Sequence, residues 1–280
     1  MIYPGNCYEI LTNIRYAINE HSTGLVQGTD TSGGFQNSYL ISQINKAQRF
    51  IHGLLFSQFP DLFLTSADLA FAGSVASLPW DCYKVNEILN ADGFPLTKIN
   101  RKQGHVANNT GDRFAYYRYG NTIRVDQDGI SETGKLWYYK RCREITAGMS
   151  SDGGALSLTL ATTASKLADY YNSMTIEDIT DDWADTISDY SALRVCTLAA
   201  QTGAASKYYG LVSELPEEFH GLIEERAIIQ VKQHPKAPFK ITKEDLAVFK
   251  DNLSAAMIGF AGTNTGDNDL DSIFNDFEPY

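Results

Sequence analysis

Six carboxylates lie close together along one stretch of the chain, and paired carboxylates are the groups that hydrolyse glycosidic bonds. They are Glu177, Asp178, Asp181, Asp182, Asp185 and Asp189. Glycoside hydrolysis needs two acids that face each other across a substrate cleft. Acids crowded along one stretch usually lie on a solvated face, where they repel each other rather than enclose a ligand. We therefore predict a structural acidic face, with a carbohydrate-active or carbohydrate-binding protein as an alternative.

Three aromatic clusters could stack sugar rings or bases. They are Tyr116, Tyr117 and Tyr119; Trp137, Tyr138 and Tyr139; and Tyr208 and Tyr209. Because Tyr and Trp are strongly enriched in β-sheets, we predict that these side chains pack on strands.

The remaining patterns do not predict a catalytic, cofactor or metal site. The glycine-rich residues 24–34 lack the Gly-Lys-Ser/Thr ending of a phosphate-binding loop, and no Gly-x-Ser-x-Gly motif occurs. No two of the five histidines have the spacing of metal ligands on one helical face. They are His21, His52, His105, His220 and His234.

The four cysteines form no C-x-x-C pair, which indicates reduced, small apolar side chains. They are Cys7, Cys82, Cys142 and Cys196. The chain is therefore predicted not to be an enzyme.

The C-terminal residues 263–280 combine acids with regularly spaced apolar side chains. Asp267, Asp269, Asp271 and Glu278 match positions of a calcium-binding loop, but Ser272 stands where that loop requires Gly. We instead interpret the segment as an extended tail that docks on a partner, or as a merely solvated tail. The docking residues would be Leu270, Ile273, Phe274, Phe277 and Tyr280, with Asp267, Asp269 and Asp271.

Composition excludes two classes of protein. The chain has 280 residues and a formal net charge of −11, which disfavours general binding to nucleic acid because phosphates would be repelled. No apolar run approaches the roughly 18 to 20 residues that span a bilayer, and the start of the sequence lacks a secretion signal. We expect a protein without a membrane partner.

Helical periodicity occurs at both ends of the chain. Apolar residues at spacings of three and four predict helices over residues 7–18 and 35–56. A Pro followed by acids at residues 216–218 predicts a helix that continues to about Lys232. A last helix is predicted to open at Thr242, with Glu244 and Asp245 in its first turn.

The middle of the chain has the period of two that is typical of strands. Residues 119–125 and 135–140 alternate in this way, and Gly93 and Gly129 supply turns, so we predict an antiparallel sheet or sandwich over residues 70–148. Residues 150–154 are interpreted as a linker, and residues 153–212 as a second small β insertion. The predicted fold is α+β. In it, helices from residues 1–65 and 214–262 form one bundle, because their apolar stripes need partners, and the β segments are insertions.

Several short motifs resemble those of the phage head-to-tail adaptor (connector, or neck) proteins of podovirus type. Residues 78–81 read Leu-Pro-Trp-Asp, residues 120–123 Gly-Asn-Thr-Ile, residues 138–139 Tyr-Tyr, and residues 215–220 Leu-Pro-Glu-Glu-Phe-His. Residues 160–177, followed by residues 187–199, are similar to a β module of phage structural proteins, with Ser173 where that module usually has Gly. The resemblance covers about residues 35–235.

The resemblance implies a virion structural protein with a helical body and β insertions. It implies a ring of about twelve copies between the portal protein and a tail or nozzle protein, with DNA passing through the channel without specific binding. It also implies that the C-terminal extension docks into clefts of the portal. A different tail or baseplate protein is an alternative, because the second β module is not exclusive to adaptors.

Overall fold

Four helices occur in the computed structural model, which describes residues 5–20, 35–100, 115–125 and 129–261. They are α1 (Cys7–Ala17), α2 (Asn37–Gln58), α3 (His220–Lys232) and α4 (Lys243–Ala261). Asn6 caps α1, because its side-chain oxygen accepts from the N–H of Tyr8 at 2.8 Å. Thr242 and Asp245 bond reciprocally at the start of α4, at 3.1 Å and 2.9 Å. The four helices that the sequence predicts are confirmed.

Strands make up most of the remaining regular structure. The fourteen strands among the described residues are β1 (Leu64–Ala70), β2 (Val75–Ser77), β3 (Cys82–Leu89), β4 (Thr97–Lys98), β5 (Ala115–Tyr119), β6 (Thr122–Val125), β7 (Thr133–Lys140), β8 (Ala147–Met149), β9 (Asp152–Gly154), β10 (Ser157–Thr159), β11 (Thr175–Asp178), β12 (Trp183–Tyr190), β13 (Val195–Leu198) and β14 (Tyr208–Leu211). They form three sheets, and every pairing is antiparallel except that of β4 with β5.

The chain divides into two compact units. The first unit comprises Met1–Ile51 and Arg143–Tyr280, and the second comprises His52–Cys142. The first unit contains a seven-stranded sheet in the order β8-β14-β11-β12-β13-β10-β9. Helix α1 packs against β14 and β8 and against α3, which in turn packs against α4. In the first unit, α1 therefore packs directly on the large sheet, and α3 and α4 follow it through helix–helix contacts.

The predicted helical bundle with β insertions is wrong, because three β-sheets, one of them seven-stranded, form the framework of the described chain beside only four α-helices. The apolar stripe of α1 was expected to need a helix as its partner, but a sheet covers part of it. Gly210 on β14 permits this close approach, since a Cβ there would lie 1.8 Å from the side-chain oxygen of Asn6. An amphipathic stripe requires an apolar partner without specifying whether that partner is a helix or a sheet.

The predicted linker over residues 150–154 is also wrong. Residues Asp152–Gly154 form β9, an edge strand of the seven-stranded sheet that pairs with β10. A Cβ at Gly153 would lie 2.4 Å from the backbone nitrogen of Ala204. Glycine there therefore allows a close approach of two backbone segments, rather than flexibility between domains.

Ser173 adopts the left-handed backbone conformation that glycine usually provides. Its φ angle is +66°, and its N–H donates to the carbonyl oxygen of Ile187 at 2.7 Å. The departure from the glycine of the β module is accommodated by a serine in the same region of backbone conformation.

The ends of α1 and α2 are joined by a buried polar cluster around Arg15. The Arg15 guanidinium donates to the Glu20 carboxylate at 2.8 Å, to the carbonyl oxygen of Phe35 at 2.8 Å, and to Asn37. Glu20 also accepts from the N–H of Phe35 at 3.0 Å. Residues 20 and 35, which flank the segment 21–34, are thereby held close together.

The second unit contains two small sheets with a shared apolar core. Their strand orders are β1-β7-β3 and β2-β6-β5-β4. Both sheets contribute to one cluster of buried side chains: Leu69, Phe71, Ala76, Leu78, Cys82, Ile88, Leu96, Tyr116, Ile123, Val125, Leu136 and Tyr138. Inward and outward side chains alternate along β7, as expected for a strand with one buried face.

None of the helices in the described ranges is long and apolar enough to cross a membrane.

Candidate functional site

A cleft of about 440 Å³ lies in the first unit, between α2 and two segments that lead into and out of the seven-stranded sheet. Helix α2 lines one wall with Ile41 and Asn45, among other side chains, and residues 144–146 line another. Thr163 and Tyr171 belong to the third wall. We call this cavity the α2 cleft.

Polar side chains on one face of α2 hold the walls of the α2 cleft in place. The amide of Asn45 donates to the carbonyl oxygen of Ile145 at 2.9 Å and accepts from its N–H at 2.8 Å. Gln48 donates to the carbonyl oxygen of Arg143 at 2.5 Å, and Arg49 pairs with Glu144 at 2.5 Å. Their spacing of three and four residues places these side chains on the same side of the helix.

The α2 cleft contains no described pair of groups suited to acid–base catalysis. Its single carboxylate, Glu144, is paired with Arg49 and half exposed. Burial raises the pKa of the Tyr171 hydroxyl, which accepts from the N–H of Ser165 at 3.1 Å. A neutral phenol and a paired carboxylate can bind a ligand by hydrogen bonds, but neither is positioned to activate a nucleophile.

A buried ion pair joins the entry and the exit of the seven-stranded sheet. Arg143 precedes β8, and Glu214 follows β14. Their side chains make two hydrogen bonds, at 2.8 Å and 2.5 Å, and are only 12% and 17% exposed. The Arg143 guanidinium also donates to the carbonyl oxygens of Tyr170 and Asn172, at 3.2 Å and 2.5 Å. Sequence reasoning missed this pair, because its members are 71 residues apart and have no motif.

The six clustered acids have structural partners. Asp178 accepts from the N–H groups of Thr180 and Asp181, and Asp181 pairs with Lys207 at 2.7 Å. Glu177 is buried and accepts from the amide of Asn6. Asp182 and Asp189 are exposed. None of the six lines the α2 cleft or a second cleft between α3 and α4.

Asp185 acts as a local clamp for the chain beyond β13. Its carboxylate accepts from the N–H groups of Thr186, Ala200 and Gln201, at 2.7 to 2.8 Å. Burial raises the pKa of this carboxyl, but the backbone donors outweigh that effect and hold the pKa below its usual value. Hydrogen bonds to backbone N–H groups favour the ionised form, which is the form that holds the segment.

The aromatic clusters pack on strands, as the sequence predicts. Tyr116, Tyr138 and Tyr209 are buried. The Tyr209 hydroxyl accepts from the N–H of Ala161 at 2.8 Å, and the ring of Tyr208 stacks on Tyr8. The other members of the clusters are partly or fully exposed: Tyr117, Tyr119, Trp137 and Tyr139.

Three motifs that carry the resemblance contact one another in the second unit. The N–H of Leu78 donates to the carbonyl oxygen of Asn121 at 2.9 Å, and the amide of Asn121 donates to the carbonyl oxygen of Leu78 at 3.2 Å. The hydroxyl of Tyr138 donates to Asp81 at 3.0 Å. The fourth motif lies in the first unit, where a ring nitrogen of His220 lies 2.7 Å from the carbonyl oxygen of Leu215.

No disulfide joins the four cysteines, all of which fall within the described residues. Burial raises the pKa of the Cys7 and Cys82 thiols, and it raises that of Cys196 to about 12, so these thiols are protonated at neutral pH. Among the described side chains, no three of the types His, Cys, Asp and Glu are grouped so that they could hold a metal ion.

Several predicted features lie outside the described residues. They are the glycine-rich segment 24–34, His21, His105, and the tail residues Asp267, Asp269, Leu270, Asp271, Ile273, Phe274, Phe277, Glu278 and Tyr280.

In comparisons with known proteins, no family model and no curated protein matches the chain.

Proposed function

We propose that this chain is a head-to-tail adaptor of a phage virion, which assembles as a ring between the portal protein and the tail. The contact among the three motifs of the second unit carries this proposal. Leu78 and Asn121 exchange two hydrogen bonds, and Asp81 bonds to Tyr138, so three of the four motifs of the resemblance are hydrogen-bonded neighbours in the second unit.

The chemistry of the described side chains favours a mechanical role. The clustered acids cap turns, form an ion pair or hold backbone segments, and the α2 cleft offers hydrogen-bonding groups without an activated nucleophile. A glycoside hydrolase would need two carboxylates across a cleft, and none of the six clustered acids lines either cleft described above. Three other acids line the second cleft: Glu225, which accepts from the amide of Asn252, Asp245, which pairs with Lys232, and Glu244.

The net charge of −11 suits a ring through which DNA passes. Phosphates would adhere to a wall of fixed cations, whereas an acidic or neutral wall allows them to slide. A structure of the assembled ring is expected to show a channel wall without rows of Lys and Arg. A wall lined by those residues would contradict the proposed passage of DNA.

Binding to the portal protein of the same virus tests the proposal directly. Mass photometry of portal rings mixed with the full chain is expected to show a fixed number of added copies. Deletion of residues 263–280 is expected to abolish that binding, because the proposal assigns portal docking to the tail. A control variant has the five acids of the tail changed to Asn or Gln. It distinguishes a contribution of the tail's charges to portal binding from a contribution of its apolar side chains.

Each outcome of the binding experiment has a distinct meaning. A full chain that does not bind portal rings contradicts the adaptor function and favours a different tail or baseplate protein. Binding that survives the deletion keeps the adaptor function but rejects the tail as the docking element. Retained binding by the acid-to-amide variant would assign docking to Phe274, Phe277 and their apolar neighbours.

A further inference from the structure

The three-stranded sheet of the second unit has one face in the apolar core and one face turned away from it. On the central strand β7, Leu136 and Tyr138 are buried in that core, while Lys135, Trp137 and Tyr139 alternate with them and point to the other side. Lys84 on β3 lies opposite Tyr139 in the strand register. We define the lysine–aromatic face as Tyr83, Lys84, Lys135, Trp137 and Tyr139.

Both lysines of this face are held over aromatic rings. The Nζ atom of Lys84 lies 5.9 Å from the ring centres of Phe56 and of Tyr139, and that of Lys135 lies 5.8 Å from the ring of Trp137. Both side chains are exposed, and within the described ranges neither forms an ion pair with a carboxylate. These ammonium groups are positioned in advance and remain available to an acid from another molecule.

The aromatic side chains give the lysine–aromatic face the composition of a protein interface. The ring of Tyr83 is 50% exposed and packs edge-on against Phe56, at 5.1 Å between ring centres. Trp137 and Tyr139 are partly exposed on the same face. Tyr and Trp are enriched at the energetic centres of protein interfaces. A surface that contacts only solvent does not require exposed Tyr and Trp side chains.

Charge is distributed unevenly between the two units. The second unit has 10 Lys and Arg against 9 Asp and Glu, a net charge of +1. The first unit has 13 against 25, a net charge of −12. Contact between the first units of two copies would bring like charges together. Contact of the second unit of one copy with the first unit of another would not bring like charges together.

We propose that the lysine–aromatic face of one copy docks on the acidic first unit of a second copy of this chain. The inference rests on the proposed function, because a ring of identical copies requires a contact between two different surfaces of the chain. Lys84 and Lys135 meet carboxylates of the neighbouring copy, while Tyr83, Trp137 and Tyr139 supply buried contact area. The charge difference between the units favours this arrangement over a contact between two first units.

Charge reversal on matched pairs of residues tests the proposal in the full chain. The test variant is K84E/K135E, and the control is R118E/R124E, which removes two exposed cations from the other sheet of the same unit. Both variants change the net charge by the same amount. Arg124 also lies over an aromatic ring, 5.2 Å from the centre of Tyr119, so the control loses a comparable local contact.

Self-association is measured by sedimentation velocity over a range of protein concentrations, at low and at high salt. The wild-type chain is expected to associate, and more strongly at low salt because the contact joins opposite charges. We expect K84E/K135E to weaken association by about tenfold or more, and R118E/R124E by about twofold or less. Circular dichroism checks that both variants keep the wild-type fold. A wild-type chain that stays monomeric, or equal effects of the two variants, overturns the proposal.

A photo-crosslinker in place of Tyr83 identifies the surface that the face contacts. Mixing isotopically light and heavy chains distinguishes links between copies from links within one copy. Links from position 83 to residues 1–51 or 143–280 of the other copy are expected. Links to residues 52–142 of the other copy would indicate a symmetric contact between second units and would overturn the proposal. Portal binding is measured separately. If the chain binds portal rings but does not self-associate through this face, the present inference is rejected and the proposed function is retained.

Discussion

The two units of this chain are both rich in strands, yet different interactions hold their distant segments together. In the first unit, buried polar side chains join segments that are far apart in sequence, as in the pair Arg143–Glu214 and in the two hydrogen bonds of Asn45 to the backbone of Ile145. In the second unit, one apolar cluster lies between two small sheets, and Lys84 and Lys135 lie on the surface near aromatic rings. The comparison teaches that the first unit uses some buried charged groups to join distant segments, whereas apolar side chains join the two sheets of the second unit.

The largest expected effect comes from removing one member of the buried ion pair of the first unit. Glu214→Ala leaves the Arg143 guanidinium buried without its carboxylate, which should lower the free energy of unfolding by about 3 to 5 kcal/mol. Urea denaturation, combined with hydrogen exchange to separate the two units, measures this loss. Arg49→Ala is the control, because Arg49 and Glu144 are 51% and 54% exposed and should contribute about 0 to 1 kcal/mol. Similar losses in the two variants would refute a special role for buried charges in the first unit.

A somewhat smaller effect is expected from a cavity in the second unit. Leu136 is fully buried on the central strand β7, so Leu136→Ala should cost about 3 kcal/mol through lost burial and an unfilled cavity. Hydrogen exchange should accelerate mainly within residues 52–142. Thr133→Ala, at an exposed position of the same strand, should leave exchange nearly unchanged. Faster exchange across the first unit as well would show that the two cores do not unfold separately.

The smallest expected effect is a pH dependence in the first unit that comes from Asp185. Its pKa is lower in the folded chain than in the unfolded chain, so its contribution to stability is present above the unfolded pKa of about 3.9. That contribution is lost as pH falls through the lower, folded pKa. Because the carboxylate is partly exposed, solvent screening limits the contribution to about 1 kcal/mol or less.

Thermal unfolding between pH 5 and pH 3 measures this contribution. Asp185→Asn should destabilise the chain at pH 5 and show a smaller further loss at pH 3 than the wild type. Asp189→Asn, on the same strand, is the control, because the Asp189 carboxylate accepts from one backbone N–H, that of Tyr190, whereas Asp185 accepts from three. If the melting temperature of Asp185→Asn depends on pH as strongly as that of the wild type, Asp185 is not a structural acid.

The helices were predictable because their signals are local. Cys7, Ile10, Leu11 and Ile14 repeat at spacings of three and four, and all four are buried in α1. The capping pattern of Thr242 and Asp245 likewise lies within four residues of sequence. The partner of each helix depends on residues far away in the chain, which is why the helical bundle was the wrong architecture.

The seven-stranded sheet was hard to predict because several of its strands are short. Strands β8, β9 and β10 have three residues each, too few for an alternating pattern, and β9 contains two glycines. Glycines signal turns in sequence, but Gly153 serves to let the backbone near Ala204 approach. The candidate site posed the same difficulty, since Asn45 and Ile145 bond across 100 residues.

Because of the polar cluster around Arg15, the stability of the fold depends little on the length of the connection between α1 and α2. Because Arg15 and Glu20 hold Phe35 beside the end of α1, the ends of the connection stay together whatever lies between them. Each doubling of such a connection costs only about 0.6 kcal/mol of chain entropy. An affinity tag or a fluorescent domain inserted between residues 20 and 35 is therefore expected to leave the bonds between these two ends in place.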